Sequence, residues 1–287
     1  MAKTVGIIGG DKRFLFAGDF FLKDKYNVKL FGFSKITSTG DLQICNSLDE
    51  LSKTDIVIFP VPPVNQAGDI NAPFAKEPIK FNSELLNLIS DKKIFCPMKE
   101  KIVKFCKEFE NIKSYDYFER EDFTLLNAYL TAEGALQIAL NSYEGAILDS
   151  KILICGFGRI GKCLAKMFRD LKAQVYVSAR KATDFAKITI NGYHLLNTGQ
   201  LKELRGFDIV FNTVPALIFD ESLLKKTDKN TLIVDLASLP GGIDKSAAQS
   251  LDIDIIHALA LPGKTAPKTA GEIIKNTIVK MLEEEIR

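Results

Sequence analysis

The chain has 287 residues, of which 46% are hydrophobic and 26% charged, and its 38 basic and 36 acidic side chains leave a formal net charge of +2. That length suggests two domains, and the composition excludes a disordered or fibrous chain. The near-balance of charge offers no broad field for a phosphate backbone, and no run approaches the roughly 18 apolar residues of a membrane span, so neither nucleic acid nor membrane is expected as a partner.

The sequence MAKTVGIIGGDKR runs directly into a strand-like segment with no signal core, which points to the cytoplasm. The five cysteines, an odd number without a C-x-x-C pair, read as thiols of a reducing compartment. Residues 3–8, 28–33, 56–59 and 93–95 read as strands, with helices over 13–23 and 83–89 between them. Such alternation builds a parallel sheet covered by helices. Residues 61–73, with three prolines and a glycine, read as an extended loop after a strand, suited either to ligand contact or to a spacer role. A long helix is expected over about 122–144. After it come strands at 152–155, 175–178, 209–212, 232–235 and 253–256, with helices beginning near 159 and 183. The final helix, from 269, carries Ile273, Ile274, Ile278 and Met281 at helical spacing. The expected fold is α/β: two Rossmann-like domains with parallel doubly wound sheets and a cleft between them. Residues 1–121, completed by the C-terminal helix (about 269–287), form the first domain, and residues 122–268 form the linking helix and the nucleotide-binding domain.

The sharpest motif is Gly156-Phe157-Gly158-Arg159-Ile160-Gly161, set between an apolar strand and a helix. In that context the first glycine allows a tight turn, the second lets backbone approach a pyrophosphate, and the third lets helix and strand pack closely. The next strand ends in Ser178-Ala179-Arg180-Lys181, with no acid for a ribose 2′-hydroxyl. A hydroxyl followed by two cations suits a 2′-phosphate, so NADP is the expected cofactor, a solvated basic turn being the other reading. Three more turns follow strands: Asn212-Thr213-Val214-Pro215, Asp235-Leu236-Ala237-Ser238, and residues 259–267. In a doubly wound sheet such turns converge on the nicotinamide, which makes Asn212, Thr213, Val214, Pro215, Asp235 and Ala237 expected cofactor contacts. Gly263-Lys264-Thr265 resembles the end of a phosphate-binding P-loop, but Ala258 stands where its first glycine is required and Pro267 interrupts the helix that should follow.

Near the N-terminus, Gly9-Gly10-Asp11-Lys12-Arg13 lacks dinucleotide spacing. It reads as a substrate-side turn in which Arg13 holds a carboxylate bidentately and Asp11 orders the loop, or as a helix cap at Asp11 beside a solvated basic pair. Only two histidines exist, His194 and His257, neither with a ligand-spaced partner, so no metal site is expected. His257 ends a strand and reads as a satisfied or solvent-facing side chain.

In combination these residues resemble the A-subunit family of bacterial dipicolinate synthase over nearly the whole chain. The resemblance rests on Gly9-Gly10-Asp11, the run from Tyr117 to Phe123, Thr131-Ala132-Glu133-Gly134-Ala135, and the glycine motif. Residues 211–216, 235–238, 240–242, 261–263 and 266–271 add to it. The chain departs from the family pattern at Leu130, where proline is expected, and at Lys264 and Thr265, where apolar residues are expected. The resemblance implies an oxidoreductase of sporulating bacteria, in the mother-cell cytoplasm. It would form dipicolinate (pyridine-2,6-dicarboxylate) from dihydrodipicolinate or its hydrated precursor, with hydride transfer to NADP. It also implies a flavoprotein-like B subunit, and a homo-oligomer is expected. A dicarboxylate needs two anion-binding features, for which Asp11, Arg13, Thr131, Pro262, Gly263 and Lys264 are the expected substrate contacts, with Lys268 and the start of the last helix as further cations and dipole. Glu133 and Ser238 are the candidate catalytic groups, His257 is weighed beside them as a proton acceptor, and the sequence does not choose among the three. Two other functions fit the same fold: a different 2-hydroxy acid or amino acid dehydrogenase, and a non-catalytic nucleotide-binding scaffold.

Overall fold

A computed structural model describes residues 2–38, 40–238 and 240–284. Of the expected C-terminal helix, residues 285–287 lie outside the described residues. The chain divides into two compact units, Met1–Asn127 with Ala266–Arg287, and Ala128–Thr265.

The first unit contains β1 (Thr4–Ile8), α1 (Lys12–Lys23), β2 (Asn27–Phe31), β3 (Gln43–Cys45), β4 (Ile56–Ile58), α2 (Ser83–Ile89), β5 (Lys93–Phe95), α3 (Lys99–Val103) and β6 (Ser114–Tyr115). It also holds the start of α4 (Glu121–Ser142). The strands form one parallel sheet in the order β3-β2-β1-β4-β5-β6. One face is covered by Phe14, Ala17 and Phe21 of α1, and the other by Leu85 and Ile89 of α2 with Ile102 and Phe109. Asp11 caps α1 by accepting from the Arg13 amide, which fixes where the helix begins.

The second unit takes over within α4, then adds β7 (Lys151–Cys155), α5 (Arg159–Asp170), β8 (Gln174–Ala179), α6 (Ala182–Ile190), β9 (His194–Asn197), β10 (Ile209–Asn212) and α7 (Glu221–Leu224). β11 (Leu232–Asp235), α8 (Lys245–Ser250), β12 (Ile255–His257) and α9 (Leu261–Thr265) complete it. Its parallel sheet runs β9-β8-β7-β10-β11-β12, so both sheets have the doubly wound order 3-2-1-4-5-6 when their strands are counted along the chain. The closing helix α10 (Pro267–Glu284) returns to the first unit. It packs on α1 so closely that a Cβ at Gly271 would stand 2.4 Å from the Arg13 carbonyl oxygen.

The division at 127/128 and 265/266 differs from the sequence boundaries at 121/122 and 268/269. The reason lies in α4, whose Phe123 packs into the first core while Ala132, Ala135 and Ala139 pack into the second. Three short strands, β3, β6 and β9, were not anticipated; each lies at or beside a sheet edge and carries few buried apolar side chains. Residues 259–267 also differ from the expected loop: Leu261–Thr265 forms the short helix α9, with proline near its start, where a missing N–H costs nothing.

Candidate active site

The second sheet presents its carboxyl edge to a cavity of about 410 Å³. Five segments line it: the glycine turn, the end of β8, the first turn of α6 at Asp184, Thr198, and the turn after β10. Gly156 leaves β7 with φ +98, and a Cβ there would come within 2.5 Å of Thr213 Oγ1, so the left-handed turn excludes other residues. A Cβ at Gly161 would lie 2.1 Å from the Gly156 carbonyl oxygen, the mark of a helix pressed against a strand end. Gly158 differs from both. It is the N-cap of α5, with ordinary φ −77, and nothing lies within 4 Å of the place where its Cβ would be. Backbone is therefore open to a ligand at the positive end of a twelve-residue helix, which fits a pyrophosphate.

Arg180 and Lys181 are exposed at the rim of this cavity, and Asp184 adds one carboxylate to the same wall. Thr198 also lines it, a residue the sequence did not single out because it follows the unanticipated strand β9. Ser178 does not line it: the side chain is fully buried, with its hydroxyl 3.1 Å from Thr198 Oγ1. Beside it, burial pushes the Cys155 thiol up to about 12, against the opposing hydrogen bond from Ser178, so this cysteine stays a neutral thiol.

The turns after β10 and β11 are held by a buried polar node. Asn212 Nδ2 donates to Asp235 Oδ1 (2.9 Å) and to the Val214 carbonyl (3.1 Å), while Asn212 Oδ1 accepts from the Val214 amide (3.1 Å). The Ala237 amide also donates to Asp235 Oδ1, and Thr213 Oγ1 donates to the Cys155 carbonyl. Thr213, Val214 and Pro215 line the cavity; Asn212, Asp235 and Ala237 are buried behind that wall and shape it. Arg159 and Ile160 lie in the first turn of α5, outside the lining.

The expected substrate contacts are distributed over both units. Arg13 is buried and its fork is engaged within the protein: Nε and Nη2 donate to Asp11 at 2.9–3.1 Å, and Nη2 donates to the Val61 carbonyl at 2.6 Å. The Nε–Nη2 edge of Arg13, expected to hold a substrate carboxylate, is here filled by Asp11, whose capping position brings its carboxylate within reach. Close by, Tyr117 is fully buried and donates to the Phe59 carbonyl at 3.0 Å; burial holds its hydroxyl well above the usual range despite the Arg13 charge. In the second unit, Thr131 is buried in α4, Glu133 is exposed, and at Gly134 α4 meets α9 so closely that a Cβ would stand 2.9 Å from Thr265 Oγ1. Pro262 is buried and Lys264 exposed within α9, and Ser238 is exposed after β11.

A doubly wound sheet with an open glycine turn at a helix N-terminus, walled by two more strand-end turns, places the protein among those with a Rossmann-like, dinucleotide-binding type of fold. Residues 4–118 match the family described as the N-terminal domain of the dipicolinate synthase A subunit. Over 286 residues the chain is 32% identical to the dipicolinate synthase A subunit of Bacillus subtilis (strain 168), covering 98% of this chain and 96% of that protein. The crystal structure of the dipicolinate synthase A subunit from Bacillus halodurans superposes with a TM-score of 0.87 at 29% identity, over 98% of this chain and 97% of that one. At 13% identity the fold is shared with transhydrogenase from Sinorhizobium meliloti, with a TM-score of 0.67 over 98% and 94% of the two chains. The chain belongs to the A-subunit family of dipicolinate synthase. No helix among the described residues is long and apolar enough to cross a membrane.

Proposed function

We propose that the protein is an NADP-dependent oxidoreductase subunit that forms dipicolinate from dihydrodipicolinate or its hydrated precursor, in the cytoplasm of a sporulating cell. The observation that carries this reading is the cavity at the carboxyl edge of the second sheet, which joins an open glycine turn at Gly158, where no side chain caps α5, to two exposed cations at Arg180 and Lys181. Bound NADP⁺ supplies the hydride acceptor, and aromatisation of the ring favours the transfer. The chain's own part is to hold and orient. The amides at the start of α5 take the pyrophosphate, Arg180 and Lys181 take the 2′-phosphate, and Thr198 takes a hydroxyl or phosphate oxygen beside them. Asp184 is the group that would accept from a free 2′-hydroxyl, but the two cations outnumber it in the same cavity. The wall of Thr213, Val214 and Pro215, locked from behind by Asn212 and Asp235, would be the rigid surface that holds the nicotinamide end of the cofactor.

Exposed Lys264 serves one carboxylate of the substrate. The A-subunit name of the relatives supports a B-subunit partner; the flavoprotein character of that partner and a homo-oligomeric assembly are further parts of the proposal. Fluorescence titration with NADPH and NADH tests the cofactor assignment directly. NADPH should bind at least tenfold more tightly, and equal affinities would retire the assignment of Arg180 and Lys181.

A further inference from the structure

Five residues form one row across the carboxyl edge of the second sheet. Strand register pairs Ser178 with Cys155, Cys155 with Asn212, Asn212 with Asp235, and Asp235 with His257. The row runs from the buried Ser178 hydroxyl and Cys155 thiol through Asn212 and Asp235 and ends on the imidazole of His257. Asp235 has a side chain only 3% exposed, and one of its carboxylate oxygens is taken by Asn212 Nδ2 and the Ala237 amide. The other oxygen, Oδ2, faces Nδ1 of His257 at 3.6 Å, while the imidazole itself is 36% exposed. Room for this node is made by the turn that follows: a Cβ at Gly241 would lie 3.1 Å from Asp235 Oδ2, and one at Gly242 would lie 2.3 Å from Asn212 Nδ2. Asp235 is thus a buried carboxylate with one oxygen fixed by two donors, and its other oxygen stands 3.6 Å from an exposed imidazole nitrogen, an ion-pair contact longer than a hydrogen bond that a small approach of the ring would turn into the orienting contact of a proton-transfer pair.

The position along the sheet matters as much as the pair. Arg180 and Lys181 follow β8, and Gly158 follows β7, so a dinucleotide on those groups directs its remaining half toward β10, β11 and β12. At about 4.8 Å per strand, His257 stands roughly 14 Å along the edge from the glycine turn. The Asn212 side chain that holds Asp235 also holds both backbone groups of Val214, which lines the cavity.

We propose that His257 accepts the proton released when the substrate ring is oxidised, and that Asp235 is its positioning residue. This inference rests on the NADP-dependent reading above. In the step, one ring C–H bond gives its electron pair and hydrogen to NADP⁺, and a second ring hydrogen leaves as a proton to Nε2 of neutral His257. The ring electrons left behind complete the aromatic system. The products are dipicolinate, NADPH and an imidazolium that returns its proton to water. With Nδ1–H turned to Asp235, the Nε2 lone pair is left as the acceptor.

The test combines labelling with kinetics on the full-length protein. Carbethoxylation by diethyl pyrocarbonate, read by peptide mass spectrometry, compares His257 with His194, an exposed residue on β9 stacked on Tyr176. NADPH with dipicolinate should slow labelling of His257 at least tenfold and leave His194 unchanged; equal rates at His257 with and without ligands overturn the proposal. In turnover, His257→Gln should lose about 100-fold or more in kcat while binding NADPH within twofold of the parent, and His257→Gly should regain activity with added imidazole. A His257→Gln protein within threefold of the parent kcat also overturns it. Asp235→Asn should lower kcat about tenfold, and because that site is buried, the surface variant His257→Gln carries the decision if Asp235→Asn does not fold. Failure of the parent protein to bind NADPH sinks the functional reading itself, whereas tight NADPH binding without protection of His257 sinks only this assignment.

Discussion

Two glycines in one motif should answer the same substitution in opposite ways. At Gly161 an added methyl meets the Gly156 carbonyl oxygen at 2.1 Å, a backbone atom that cannot swing aside, so α5 must move off β7. Overpacking of this kind costs up to about 3 kcal/mol, and the better helix propensity of alanine returns about 1 kcal/mol. The net loss is about 2 kcal/mol, or about 4–8 °C in Tm for a domain of this size. At Gly158 the methyl meets nothing within 4 Å, and its φ of −77 suits any residue. Glycine and alanine at an N-cap differ by roughly 1 kcal/mol or less, so Gly158→Ala should unfold within about 3 °C of the parent. Its methyl, however, stands where a pyrophosphate must approach the start of α5, and NADPH affinity should fall at least tenfold. Circular dichroism melts and fluorescence titration separate the two effects. A Gly158→Ala protein that binds NADPH as tightly as the parent refutes the placement of the pyrophosphate.

Replacing both Arg180 and Lys181 with alanine should remove most of the preference for NADPH. Each lost contact is worth about 1.5 kcal/mol, near the low end for charged hydrogen bonds because both side chains are exposed, and NADH affinity should stay within threefold. Arg13→Ala leaves Asp11 and the Val61 carbonyl without their partner, so it should lower Tm by about 4–8 °C, equivalent to roughly 2 kcal/mol. An unchanged Tm with a raised KM for the dicarboxylate would restore Arg13 as a substrate clamp. Asp122 is held well below the usual carboxylate range, first by its hydrogen bonds from Arg120 and then by Lys280. A depressed folded-state value means its stabilisation is complete above the unfolded value near 4 and is lost as pH falls further. The Tm gap between the parent and Asp122→Asn should therefore be constant above about pH 5 and shrink below about pH 4; a gap that widens on acidification contradicts the sign.

The fold and the family were legible in the sequence where residue type is forced. Only glycine tolerates the left-handed turn at 156 and the backbone contact at 161, so the motif could be read with its strand and helix attached. The buried central strands read clearly because their apolar runs are unbroken, whereas β3, β6 and β9 escaped notice because edge strands need few apolar residues. Side-chain direction was not legible. Asn212 and Asp235 each end a strand and Ser178 stands one residue before the end of β8, and all three turn inward rather than lining the cavity. At Arg13 the sequence leaves a substrate clamp and a helix cap at Asp11 both open, because it does not show that the capping carboxylate also fills the Arg13 fork. His257 seemed isolated for the same reason: its partner lies on the neighbouring strand, 22 positions away, and only sheet register brings the two together.

The proposed oxidation of the dihydropyridine dicarboxylate by NADP⁺ is best measured with purified protein supplied with fresh substrate by dihydrodipicolinate synthase, dipicolinate and NADPH being followed in the same sample. The two products should accumulate one for one, faster with NADP⁺ than with NAD⁺. Dipicolinate forming no faster than in the protein-free control, with no NADPH produced, would overturn the proposed reaction.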